Sequence, residues 1–169
     1  MFDRVNKHTI SQLLNQSPLP CEEGIEAALK WIGDDDLEVT AALLLNAPST
    51  VDVSWAVVNL PLPSSVLIRL YSKGGGWFPN LAIANPACPE GLRLFASKSE
   101  RSSLRQGVAI HSKSPDALLR LAMDEDIFVR TYVAGNKHAP EAALDFLSKD
   151  KDPWIRYQKC LWRQNCKKK

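Results

Sequence analysis

Two stretches of this chain carry the same pattern. Ala117-Leu-Leu-Arg-Leu-Ala-Met-Asp-Glu-Asp-Ile-Phe-Val-Arg130 returns as Ala142-Ala-Leu-Asp-Phe-Leu-Ser-Lys-Asp-Lys-Asp-Pro-Trp-Ile-Arg156. The spacing is roughly 25 residues, the range in which a repeated sequence marks stacked units rather than a single irregular core. One unit of that size cannot bury its own apolar face, so it must be covered by its neighbours.

Prolines mark where the units join. Asn59-Leu-Pro-Leu-Pro63, Asn85-Pro-Ala-Cys-Pro89, His111-Ser-Lys-Ser-Pro115 and Asn136-Lys-His-Ala-Pro140 line up with one another. Proline suits the first position of a helix, where the amide has no intrahelical acceptor. Glu90, Asp116 and Glu141 follow three of these prolines, placing a carboxylate at the positive end of the helix dipole. Asn59, Asn85 and Asn136 are expected to end the preceding helix in a left-handed conformation, and His111, in the same slot, is expected to form the turn.

Inside each unit lies an Asp-x-Asp step, at Asp34/Asp36, Asp124/Asp126 and Asp150/Asp152. The second aspartate can cap the helix that follows. Val39, Val129 and Ile155 come three residues later and are expected to face inward, with Leu104 in a copy that keeps Ser99 and Arg101 instead of aspartates. Each unit thus reads as two short helices. The pattern predicts helices over 3–15, 22–32, 37–46, 50–59, 64–72, 79–84, 90–97, 102–110, 116–123, 127–135, 141–148 and 154–164. No segment alternates like a strand. The expected fold is all-α: a right-handed α-solenoid of about five or six degenerate two-helix repeats. It forms one domain over residues 1–169, with a cap segment at 1–20 and a basic capping helix and tail at 154–169.

Asp124 to Ala134, an Asp-x-Asp-x-x-Val-Arg run leading into an alanine-containing stretch, resembles the HEAT-type repeat signature. The short period with its Asn-x-x-x-Pro turn is more similar still to the leucine-rich repeat variant family. The resemblance spans about Asn80 to Arg163 and extends to Asp34–Leu70. It implies a hydrogen-bonding ladder between neighbouring repeats formed by Asp126, Arg130, Asp152 and Arg156. Some members of the variant family hold an iron–sulfur cluster on clustered cysteines. Cys21, Cys88, Cys160 and Cys166 are scattered, so neither a cluster nor a metal site is expected, nor any other cofactor.

The charge is unevenly distributed. Residues 1–40 hold eight acids against three bases, whereas residues 101–169 hold fourteen bases against eight acids. Arg156, Lys159, Arg163 and Lys167 recur at helical spacing beside Trp154, Tyr157, Leu161 and Trp162. Such a face suits a phosphate backbone and stacked bases. It also suits the polar outer surface that a terminal repeat needs, and capping is the favoured reading. The glycine run Lys73-Gly-Gly-Gly-Trp-Phe-Pro79 puts Gly75 where a capping Asp is due and Pro79 where Arg is due. Trp77 and Phe78 are expected to fill core, although an exposed Trp77 would make a contact anchor. His8, His111 and His138 have no nucleophile and acid arranged around them. The carboxylate pairs repeat once per unit, which capping explains and catalysis does not.

The function expected from these features is a non-catalytic scaffold whose curved face holds a protein or peptide partner. Thr40, Ser54, Arg105, Gln106, Thr131 and Tyr157 are candidates for lining it. The binding residues expected are Arg156, Lys159, Arg163, Lys167, Tyr157, Trp162 and Trp77. The alternative is nucleic-acid binding through the basic C-terminal helix, with a DNA-base-processing enzyme as its remote extension. No stretch approaches the roughly 20 apolar residues of a membrane span, and the first residues lack a signal-peptide core, so a cytoplasmic location is expected.

Overall fold

The computed structural model describes residues 44–46, 53–73 and 75–156. All regular structure among them is helical. None of the described helices is long and apolar enough to cross a membrane. The segment 1–20, Asp34, Asp36, Val39, Thr40, Tyr157, Lys159, Trp162, Arg163, Lys167, three of the four cysteines and His8 lie outside the described residues. The chain divides into two compact units, Met1–Cys88 and Pro89–Lys169.

In the first unit, α1 (Val53–Asn59) and α2 (Ser64–Lys73) both pack on α3 (Phe78–Ala84). Val66, Leu67 and Leu70 form one buried stripe on α2, and Pro79, Ala82 and Ile83 form its counterpart on α3. Residues spaced three and four apart share a helix face, and each fully buried leucine contributes about 1.5–3 kcal/mol. Gly75, Gly76 and Trp77 make a tight turn. Gly76 sits at φ 55°, which glycine adopts without steric cost, and the Phe78 amide donates to the Gly75 carbonyl at 3.3 Å. Trp77 starts α3 without a side-chain cap and is 80 % exposed. That corrects the expectation of a core role: the turn is too short to fold the indole back, and α3 already buries Pro79 at the arginine slot.

In the second unit, α4 (Glu90–Ala96), α5 (Ser102–His111), α6 (Pro115–Leu121), α7 (Ile127–Gly135) and α8 (Glu141–Leu147) follow one another, and residues 153–156 are again helical. Each helix packs on the next and on the next but one. The result is two rows, α4–α6–α8 and α5–α7. Their shared core holds Leu104, Val108, Leu118, Leu121, Val129, Val133, Leu147 and Ile155. Val129 and Ile155 are both fully buried, and they hold equivalent places three residues after Asp126 and Asp152. Buried alanines at 109, 117, 134 and 143 let the short helices approach closely.

Candidate binding surface

The Asp-rich turns of the second unit are organised by three arginines. Arg130 donates from Nη1 to the carbonyls of Asp124 and Glu125 at 2.9 and 3.0 Å, closing its own turn. Its Nε and Nη2 then fork onto the Asp150 carboxylate at 2.7 and 3.3 Å. Arg105 repeats this arrangement. It donates from Nη1 to the Ser99 and Glu100 carbonyls and from Nε and Nη2 to Asp124 at 2.7 and 3.0 Å. Arg156 donates from Nη1 to the Asp150 and Lys151 carbonyls at 2.7 and 3.1 Å. Bidentate arginine–carboxylate pairs of this kind are directional as well as strong.

The ladder therefore uses different acids from those expected. Asp124 and Asp150 take the arginines, while Asp126 and Asp152 serve their own helices. Asp126 Oδ1 accepts the Phe128 and Val129 amides, and Asp152 Oδ1 accepts the Trp154 amide. Asp126 does reach the preceding helix through Oδ2, which accepts from Gln106 at 3.4 Å, but it meets no arginine there. The first aspartate faces across, and it also shapes the turn, since Asp124 and Asp150 accept the amides of Asp126 and Asp152 at 2.9 Å. Ser99 does the same for Arg101 at 3.2 Å, which explains how that copy survives without aspartates.

A second set of brackets lies at the opposite turns. Asn136 donates from Nδ2 to the carbonyls of Ala109, Ile110 and Ser112 at 2.8, 3.3 and 3.0 Å. Its Oδ1 accepts the His138 amide at 2.7 Å. In the first unit Asn85 donates likewise to the Val57 and Leu60 carbonyls and accepts the Ala87 amide. Neither asparagine is left-handed: φ is −58° at Asn85 and −80° at Asn136. They end their helices by capturing the orphan carbonyls of an earlier helix, a job that extended backbone serves better. Asn59 differs, donating back to the Trp55 carbonyl within α1.

The remaining turn is two residues shorter between its caps, and Ser112, not His111, fills the asparagine slot as the C-cap of α5. Ser112 Oγ donates to Glu90 Oε2 at 2.8 Å, and that oxygen also accepts the Lys113 and Ser114 amides. Buried Arg93 holds Glu90 Oε1 at 2.6 Å. His111 stands exposed at the edge of this cluster; partial desolvation, then the Arg93 charge, lowers its pKa. The Arg93–Glu90–Ser112 group was not legible in the sequence, because one shortened loop shifted the alignment by a residue.

Burial alone would raise the Glu90, Asp126 and Asp150 carboxyls. The hydrogen bonds they accept outweigh it, and all three are held below the ordinary carboxylate range. A depressed carboxylate stabilises the fold above its unfolded pKa and loses that contribution as pH falls through its folded value. Stability is therefore expected to fall modestly from pH 7 to about 5, where the unfolded chain takes up a proton that folded His111 resists, and to decline further below about pH 4. Urea denaturation at pH 7, 5 and 3 reads this directly, with the lowest midpoint at pH 3.

The outer face of the second row remains open. On α7 the buried residues are Val129, Arg130, Val133 and Ala134, which turns Phe128 and Tyr132 outward; they are 60 % and 39 % exposed. Ile110 on α5 and Trp154 after the next Asp turn are 46 % and 57 % exposed. Phe128 and Trp154 hold the same place in their copies, two residues after the capping aspartate. Among the residues expected to line a binding face, Ser54 is exposed. Gln106 is half-buried and donates to Asp126 at 3.4 Å, and half-buried Thr131 donates to the Ile127 carbonyl. Arg105 is buried and cannot line it, because its guanidinium is consumed by the ladder. Arg156 is exposed and Trp77 lies in the other unit. The sequence reading did not single out exposed Phe128, Tyr132 and Ile110, although Phe128 and Trp154 falling in one slot was a readable signal. No group of three or more potential metal ligands gathers among the described residues. No family model matches the chain, and no curated protein or solved structure matches it.

Proposed function

We propose that the chain is a right-handed α-solenoid of about five or six short repeats that binds a protein or peptide partner without catalysing a reaction. The observation that carries this reading is the apolar row of Ile110, Phe128, Tyr132 and Trp154 on the outer face of the second helices. Phe128 and Trp154 hold equivalent positions of successive units, two residues after the capping aspartate, and offer a partner paired anchors. Aromatic residues are the side chains that most often dominate binding energy at protein interfaces. Among the described residues, Asp124, Asp126, Asp150, Asp152, Arg105 and Arg130 are engaged in capping and in the ladder.

The test is capture from native lysate on the immobilised chain, compared with Phe128→Ser/Trp154→Ser. Both side chains are more than half exposed, so the variant is expected to unfold at nearly the same urea concentration. A defined partner held by the parent and weakened about tenfold or more by the variant supports the proposal. Capture that ignores the variant overturns it. Retention of nucleic acid that falls steeply with added salt would instead support the alternative reading.

A further inference from the structure

Two recesses of the second unit repeat one another along the edge formed by the Asp-rich turns. The first is lined by Lys98, Arg105, Arg120, Met123 and Asp124, the second by Met123, Arg130, Phe146, Lys149 and Asp150. Taken in order, these are the same five places in successive copies. Met123 walls both recesses, so they join into one trough across the ends of α4, α6 and α8. Their volumes, about 710 and 430 Å³, fall in the range of ligand pockets, about 300–1,000 Å³. The rungs Arg105–Asp124 and Arg130–Asp150 are spent on each other, and what changes along the trough is its rim. Exposed Lys98 and Arg120 make the first rim cationic. Met123 and Phe146, 59 % and 46 % exposed, make the second largely apolar, with Lys149 and Lys151 beside them. We propose that this trough docks an extended segment of a partner protein that carries an aspartate or glutamate and a large apolar side chain three residues apart. The surface is separate from the aromatic row, which lies on α5, on α7 and at Trp154.

Charge names the first group. Among the described residues no carboxylate holds Lys98, Arg120, Lys149 or Lys151. Opposing them in the lining are exposed Asp116 and Glu125, and Glu125 already meets Arg105. The trough is therefore positive, most of all where Arg120 can offer a carboxylate its planar fork. The thioether of Met123 and the ring of Phe146 suit an apolar side chain in the second recess. Spacing sets the separation. In the row α4–α6–α8 each helix touches the next, and helices in contact run about 8–10 Å apart. A polyproline-II chain advances about 3.1 Å per residue with three residues per turn, so side chains three apart share a face about 9 Å from each other. A nucleic-acid strand fits less well. It stacks successive bases on successive rings, whereas Phe146 is the one aromatic residue in the described lining, and its phosphates would pass Asp116 and Glu125.

The experiment titrates the 169-residue chain, labelled with 15N, with the peptides Pro-Pro-Glu-Pro-Pro-Phe-Pro-Pro and Pro-Pro-Phe-Pro-Pro-Glu-Pro-Pro, which present the two groups in either chain direction. Proline favours the extended form in both. The expected result is a saturable shift of the Arg120, Met123, Phe146 and Lys149 amide signals with one of the two. Pro-Pro-Glu-Phe-Pro-Pro-Pro-Pro, which turns the groups to different faces, should bind about tenfold more weakly. Arg120→Glu and Phe146→Ser should each weaken binding about fivefold or more; both side chains are exposed, so urea midpoints should stay near the parent's. Phe128→Ser/Trp154→Ser should bind the peptide like the parent, which keeps failure of the trough distinct from failure of the aromatic row. No saturable shift with either direction, equal affinity for the adjacent-group peptide, indifference to Arg120→Glu or Phe146→Ser, loss of binding in the aromatic-row variant, or tighter binding of octa-uridylate would overturn the proposal.

Discussion

Arg130→Ala is expected to cost about 3–5 kcal/mol, a third or more of the stability of a typical domain. The side chain is 6 % exposed and the Asp150 side chain that it holds is 4 % exposed. Truncation leaves that carboxylate buried without its counter-charge and strips a donor from the Asp124 and Glu125 carbonyls. Urea unfolding at pH 7 reads the loss as a lower midpoint. Adding Asp150→Asn should recover part of it, since the orphaned charge is gone while an oxygen remains for the Asp152 amide. A double-mutant cycle should then give a coupling of about 1–3 kcal/mol. The cost of Arg130→Ala should also shrink at pH 3, where protonating the unpaired carboxyl removes the buried charge.

Glu125→Gln supplies the contrast. Glu125 meets Arg105 Nη2 at 3.3 Å, but its side chain is 89 % exposed. Exposed pairs contribute little, so this change should move the midpoint by less than about 0.5 kcal/mol. Burial, more than the presence of an ion pair, decides which rung matters. A large loss from Glu125→Gln, or a small one from Arg130→Ala, would mean that the ladder is not the clamp its geometry describes.

The helices themselves were legible because each boundary has a local chemical cause. Pro89, Pro115 and Pro140 open helices, Asp126 caps one, and the apolar spacing between them fits only a period near 3.6. The predicted 64–72, 79–84, 102–110 and 127–135 differ by at most a residue at either end from α2, α3, α5 and α7. What crosses between helices was harder to read. Asp124 and Asp126 are chemically identical and two residues apart, and spacing does not say which carboxylate turns outward. In the structure Asp126 caps with Oδ1 and meets Gln106 with Oδ2, while the arginine forks fall to Asp124 and Asp150. Trp77 misled for a related reason: hydrophobicity argues for burial, but after the Gly75–Gly76 turn the indole is left 80 % exposed. Asn136 was placed correctly at a helix end and given the wrong conformation. Its role depends on carbonyls more than twenty residues earlier, which no local window contains.

That distant role makes Asn136 the second sensitive position. Its amide supplies two N–H donors to three carbonyls, those of Ala109, Ile110 and Ser112, in a site where the residue is 8 % exposed. Asn136→Ala removes those donors and leaves the His138 amide without the Oδ1 acceptor. Unsatisfied buried groups cost about 1–3 kcal/mol each, so a loss of about 2–4 kcal/mol is expected once the turn relaxes toward solvent. Asn136→Asp should be at least as damaging at pH 7, because it keeps the shape and points a carboxylate at three carbonyl oxygens. Its pH dependence identifies the cause. Protonation restores a donor, so the folded state should hold this carboxyl's pKa above its unfolded value, and the variant's deficit should narrow as pH falls through that folded value. The parent's own carboxylates push the other way. A deficit that stays constant from pH 7 to 3 would show that Asn136 acts through packing alone and that its bracket to the preceding helix carries no weight.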